Sequence, residues 1–196
     1  MTNLAIFASG VGSNADCIIS YFKENANPVE VALILTDKEN AGIYTVAAKR
    51  DVPIRCFKVD GRLDWKLAMS KLKQFEVDWV VLAGFLRKVP AYLIQRYPKR
   101  IINLHPALLP KYGGKGMYGD HVHRAIIENK EVESGISIHF VSEEYDAGEL
   151  IFQKKFRIEE NEDTSTLGRR IRILEHEYYP KVIDQTINKE RDENKV

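Results

Sequence analysis

Five short runs of aliphatic and branched residues, 4–8, 31–35, 54–59, 79–82 and 101–104, alternate with longer segments of helical period. Each run is bounded by turn formers and reads as a buried strand. Between them, 14–24 sets Cys17, Ile18, Tyr21 and Phe22 on one stripe, and 63–75 does the same with Leu63, Leu67, Met69, Leu72 and Phe75. Strand, helix, strand repetition with apolar strands predicts a parallel sheet covered on both faces. The fold class is therefore α/β: a single-domain, doubly wound, mostly parallel sheet of about seven strands with helices on both faces. Such sheets bind ligands at their carboxyl edge.

The rhythm changes after His105. Residues 106–119 hold two prolines and four glycines without a period, which predicts a long surface loop of the kind that serves as a lid or binding element. Strands follow at 136–141 and 150–157, separated by the acidic turn SEEYDAGE. A last helix is expected over about 164–187, capped by Asp163 or Thr164 and broken or kinked at Pro180. Residues 1–188 form the expected domain and 189–196 a charged, frayed tail.

Charge and cysteine content exclude several classes. Lys and Arg number 29 against 28 Asp and Glu, a net charge of +1, so there is no bulk attraction for nucleic acid or an anionic membrane. Any phosphate must be held locally. Cys17 and Cys56 lack the paired spacing of a thiolate metal site or redox motif and read as buried small hydrophobes of a reducing compartment. The N-terminus has no basic flank and five consecutive apolar residues before a turn, which fits neither a signal peptide nor a membrane span. A soluble, cytoplasmic monomer or homodimer is expected, with no nucleic-acid or membrane partner.

Three segments carry candidate chemistry. SGVGSN, 9–14, lies where the first strand turns into the first helix, and its glycines let backbone N–H groups approach an anion at the positive helix end. It lacks a P-loop lysine, and a tight turn capped by Ser13 or Asn14 explains it equally. NLHPALLP, 103–110, begins at the carboxyl end of the fifth strand. Asn103 and His105 flank Leu104 and, if extended, project to one side. An amide donor beside an imidazole suits acyl transfer, in which negative charge develops on oxygen and a proton moves between nitrogens. Asp146, in the loop after IHF, would orient His105 or a water and raise the basicity of the imidazole, although loop aspartates are commonly solvated turn residues. His139 reads as a core histidine or a site-lining one, the core being favoured. His121 and His123 have no acidic or cysteine partner at metal-ligand spacing, so no metal is expected.

Together, SGVGSN, LAGFLRKV, NLHPALLP, SIHFV with EEYDAG, and LEHEYYP stand in an order that closely resembles the glycinamide ribonucleotide formyltransferases of purine synthesis, across 4–187. The resemblance implies that Gly12, Ser13 and Asn14 bind the ribonucleotide phosphate and that Asn103, His105 and Asp146 are the catalytic set. It implies contact of Arg62 and of Leu86, Arg87, Lys88 and Val89 with a folate, which Asn103 also touches, and contact of Glu175 with the glycinamide substrate. It further implies direct attack of the substrate amine on the formyl carbon of 10-formyltetrahydrofolate, with Asn103 and protonated His105 stabilising the oxyanion and Asp146 holding His105 charged. Two departures stand out. The loop carries the longer KYGGKGMYGDHVHR, leaving its motion and the role of His123 open, and Arg172 stands where many relatives have a polar amide.

Rival readings share half of this pattern. A methionyl-tRNA formyltransferase would carry a further C-terminal barrel and a basic surface, and a formyltetrahydrofolate hydrolase an N-terminal regulatory domain; room for either is not expected here. A sugar-nucleotide formyltransferase is opposed by the phosphate cradle, and a non-catalytic folate- or phosphate-binding protein by the acid-base set.

Overall fold

The computed structural model describes residues 1–25 and 28–193. In chain order the elements are β1 (Thr2–Ala8), α1 (Ser13–Glu24), β2 (Val29–Thr36), α2 (Ile43–Arg50), β3 (Ile54–Cys56), β4 (Lys58–Val59), β5 (Arg62–Leu63), α3 (Trp65–Gln74), β6 (Trp79–Leu82), α4 (Ala91–Arg96), β7 (Ile101–His105), α5 (Asp120–Glu128), β8 (Glu133–Phe140), β9 (Leu150–Arg157) and α6 (Thr164–Glu193). Seven strands form one sheet in the order β3-β2-β1-β6-β7-β8-β9. β1 pairs parallel with β2 and β6, β2 pairs parallel with β3, and β8 pairs antiparallel with β9. The expected α/β architecture is the observed one. The chain divides into two compact units, Met1–Ile102 and Asn103–Val196.

The first unit is built on central strands that are largely buried on both faces. Leu4 through Ala8 of β1 and Leu33 through Leu35 of β2 are buried, because helices leave parallel strands no solvent side. An aromatic group closes one end of this core: Phe85 lies 5.3 Å from Phe7 and 6.0 Å from Phe57, and Trp65 lies 5.1 Å from Phe57, centroid to centroid. Phe7, Phe57 and Phe85 are buried and Trp65 is half-buried, and such ring contacts add to the hydrophobic stabilisation of this unit. The second unit packs α5 and α6 over the β8–β9 hairpin, around Ala107, Val122, Ile126, Ile136, Leu167 and Ile171.

Several boundaries differ from the sequence expectation. The run 54–59 is two elements, because Phe57 turns into the core and Asp60 and Gly61, both at positive φ, close a tight hairpin between β4 and β5. That Asp-Gly pair is the signal that could have revealed it. Helix α3 starts at Trp65, with Asp64 accepting the Leu67 N–H at 2.9 Å as its N-cap. Helices α2, α4 and α5 had no counterpart in the sequence reading. Pro180 does not end α6: Tyr179, Pro180, Val182, Ile183 and Ile187 are all buried, and that packing carries the helix through to Glu193, into the segment expected to fray. Cys17 and Cys56 are free and half-buried rather than fully buried.

Candidate active site

β7 ends at His105 and leads into the loop that the prolines and glycines announced. Its first part is stitched down rather than free. Ser137, fully buried on β8, donates to the Ala107 carbonyl at 2.7 Å and accepts the Leu109 N–H at 2.9 Å. Gln153 on β9 donates to the Leu109 carbonyl and to Ser137, both at 2.9 Å. Farther on, Lys111 and the Tyr112 hydroxyl both bind Glu131. The chain then turns through Tyr112 at φ +57° and Gly114 at φ +98°. A left-handed tyrosine costs roughly 1–3 kcal/mol and persists only where surroundings over-determine it.

That turn delivers two backbone groups to the candidate catalytic residues. The Tyr112 carbonyl stands 2.8 Å from His105 Nε2, and the Gly114 N–H donates to Asp146 Oδ2 at 2.9 Å. A Cβ on Gly113 would sit 2.6 Å from the Leu109 side chain and 3.2 Å from Asp146 Cβ, so glycine lets the loop pass this close.

Asp146, itself at φ +54°, is the hub of the cluster. Its Oδ2 lies 3.5 Å from His105 Nδ1; its Oδ1 lies 3.4 Å from Asn103 Nδ2 and 3.6 Å from His139 Nε2. Asn103 Nδ2 is also 3.1 Å from His139 Nε2. The structure thus brings Asn103, His105 and Asp146 together, and adds His139. Only 1% exposed, His139 is a core histidine that also lines the cluster. Its Nδ1 stands 2.8 Å from the Phe140 carbonyl, which requires a proton on Nδ1 and leaves Nε2 of the neutral ring as an acceptor for the Asn103 amide. The Asn103 amide orientation is then fixed, since turning it over would set its oxygen against the Asp146 carboxylate and the His139 lone pair.

The same reasoning applies to His105, which is 3% exposed. Proximity of Nε2 to the Tyr112 carbonyl places a proton on Nε2, so in the neutral ring a bare Nδ1 faces Asp146. Burial lowers the His105 pKa, with His139 adding to the effect; the Asp146 charge and the Tyr112 carbonyl offset it only in part. Desolvation is the larger effect, so the balance at His105 favours the neutral ring despite the neighbouring carboxylate. For Asp146, burial alone would raise the pKa, yet His139, His105 and the Gly114 N–H together hold it below the usual value. In the neutral ring Nδ1 is a proton acceptor that lies 3.5 Å from the Asp146 carboxylate.

The remaining expected residues lie as follows. Gly12 is the N-cap of α1 at φ +86°, and a Cβ there would strike Ile43, so neither Ser13 nor Asn14, which fall in the first turn, is the cap. Arg62 is exposed on β5. Leu86, Arg87 and Lys88 are exposed after β6, whereas Val89 is buried. Glu175 is half-buried on α6, one turn before fully buried Tyr179. His123 is packed in α5 against Gly168, and burial is the chief cause of its lowered pKa. His121 and Arg172 are exposed. Among the described residues no group of three or more His, Cys, Asp and Glu could hold a metal ion, and no helix is long and apolar enough to cross a membrane.

A doubly wound α/β protein with an amide, two imidazoles and a carboxylate in one half-buried cluster is equipped to move a proton at an acyl centre. Residues 2–183 match the formyl transferase family. The chain is 35% identical over 191 residues to the phosphoribosylglycinamide formyltransferase of Bacillus subtilis, covering 95% of each. It is 38% identical over 185 residues to the chloroplastic phosphoribosylglycinamide formyltransferase of Arabidopsis thaliana, covering 92% of this chain and 63% of the plant protein. This chain therefore spans less than two thirds of that relative's length. The crystal structure of phosphoribosylglycinamide formyltransferase from Bacillus halodurans superposes with a TM-score of 0.87 at 33% identity, over 96% of both chains. The chain belongs to the formyl transferase family.

Proposed function

We propose that this protein transfers the formyl group of 10-formyltetrahydrofolate to the amine of glycinamide ribonucleotide, giving formylglycinamide ribonucleotide and tetrahydrofolate in purine biosynthesis. The observation that carries this reading is the Asp146 hub, with Asn103 Nδ2, His105 Nδ1 and His139 Nε2 all within 3.6 Å of its carboxylate. The likeness to proteins of that name over most of this chain supports it.

In the mechanism, the substrate amine attacks the formyl carbon directly and a tetrahedral intermediate forms with negative charge on oxygen. Asn103 donates to that oxygen. Both of its amide hydrogens are engaged in the ligand-free protein, so it gives up the longer contact, the one to Asp146 at 3.4 Å. His105 takes the proton shed by the attacking nitrogen on Nδ1, where Asp146 stabilises the new charge, and returns it to the departing folate nitrogen. No covalent enzyme intermediate and no metal are needed. The N–H groups at Gly12, Ser13 and Asn14 hold the ribonucleotide phosphate at the positive end of α1. Arg62, Leu86, Arg87, Lys88 and Val89 meet the folate, and Glu175 the glycinamide. Residues 1–188 constitute the formyltransferase domain of a cytoplasmic monomer or homodimer.

Purified protein given both substrates should release tetrahydrofolate. His105→Ala should bind both and turn over at least about a hundredfold more slowly, in keeping with loss of a general acid-base group. Turnover without the ribonucleotide, or none with it, would sink the assignment.

A further inference from the structure

The 84–89 segment is held at two points. At the end of β1, Ser9 is buried; its N–H donates to the Gly84 carbonyl and its Oγ accepts the Leu86 N–H, each at 3.3 Å. Just past the end of β2, Asp37 Oδ2 accepts from Arg87 Nε at 2.9 Å. The Asp37 side chain is 1% exposed and that of Arg87 56%, so a buried anion restrains a cation that otherwise stands in solvent. Asp37 Oδ1 is buried with no hydrogen-bond partner among the described residues. A carboxylate with one oxygen unanswered is costly to keep inside a protein, which argues for a use beyond stability. Phe85 and Val89 anchor the segment inward, and Leu86, Arg87 and Lys88 are left as an apolar and cationic display.

We propose that Asp37 and Ser9 are positioning residues for the folate cosubstrate, an inference that rests on the function proposed above. Asp37 acts through Arg87: bonding through Nε fixes the plane of the guanidinium and leaves its two terminal nitrogens to pair with an anionic group of the ligand. Ser9 acts through the backbone of 84–86. Because Ser9 also opens the 9–14 turn, which packs through Gly12 on Ile43 of α2, the phosphate loop and the folate segment share one anchor.

Steady-state kinetics and amide hydrogen exchange test this together. Asp37→Asn should raise KM for 10-formyltetrahydrofolate about tenfold, about 1.4 kcal/mol, while kcat and KM for the ribonucleotide stay within about twofold. Asp37→Asn combined with Arg87→Lys should be no worse than the poorer single variant, since both remove one interaction. In ligand-free protein, Ser9→Ala should speed exchange of the Leu86 amide about tenfold and leave the β1 amides unchanged. Folate KM values at the wild-type level, a fall in kcat alone, or unchanged Leu86 exchange would overturn the proposal. A wild-type protein that ignores formyltetrahydrofolate would instead overturn the functional reading, and the exchange experiment would decide the anchoring by itself.

Discussion

Two carboxylates with largely buried side chains, Asp146 and Asp37, are held in different ways. Asp146, 10% exposed, meets an amide and two imidazoles at 3.4–3.6 Å and has one shorter bond, from the Gly114 N–H at 2.9 Å. Asp37 makes a single firm pair with Arg87. Contacts slightly beyond hydrogen-bond length tighten when a proton arrives, so Asp146 can respond to a charge that comes and goes. A lone short ion pair has nothing to gain from such a change and serves to hold a group still. Asp37 directly follows β2 and Asp146 lies in the loop between β8 and β9, and the difference between them lies in how many proton-accepting or proton-donating groups face each one.

This contrast can be broken most directly at Asp146. Asp146→Asn should lower kcat by on the order of a hundredfold to a thousandfold, because it removes the charge that stabilises protonated His105. A variant with near-wild-type turnover would make Asp146 a positioning residue like Asp37 and erase the distinction. Next in size, Ser137→Ala leaves the buried Leu109 N–H and Ala107 carbonyl without their shared partner and should cost about 1–3 kcal/mol in chemical denaturation. A loss of turnover beyond what that instability explains would show that the stitched loop sets the His105–Tyr112 contact. The smallest effect concerns pH. The acid limb of kcat/KM should lie below the ordinary histidine value, since burial depresses the His105 pKa, and residual activity of Asp146→Asn should show it lower still. Stability should move in the same sense. The His105 contribution is present above the ordinary imidazole value and is lost as pH falls from there towards the depressed folded value, because the unfolded chain binds the proton first. A limb above the ordinary value would mean that the Asp146 charge outweighs burial.

Much of this was legible in the residues. The apolar runs marked the strands because a strand buried on both faces cannot carry polar side chains, and Asn103 and His105 could be set on one side because alternate residues of a strand share a face. Asp146 drew notice through its acidic loop, while its contact with His105 spans 41 residues and no local pattern encodes it. His139 was read as core and is core, but its ring also orients the Asn103 amide, a role that depends on which nitrogen meets the Phe140 carbonyl. Pro180 was expected to break or kink α6; it does not break it, because a buried face carries the helix past the missing N–H.

By itself the sequence determined the alternation of strand and helix, the shared side of β7 on which amide and imidazole stand, and a glycine-bearing turn between β1 and α1. Those follow from periodicity and from side-chain size, which are local properties. Only the tertiary structure decided that the Tyr112 carbonyl and the Gly114 N–H close the site, that burial outweighs the Asp146 charge at His105, and that Asp37 reaches Arg87. Backbone groups have no letter of their own in a sequence, and desolvation depends on what surrounds a residue in space.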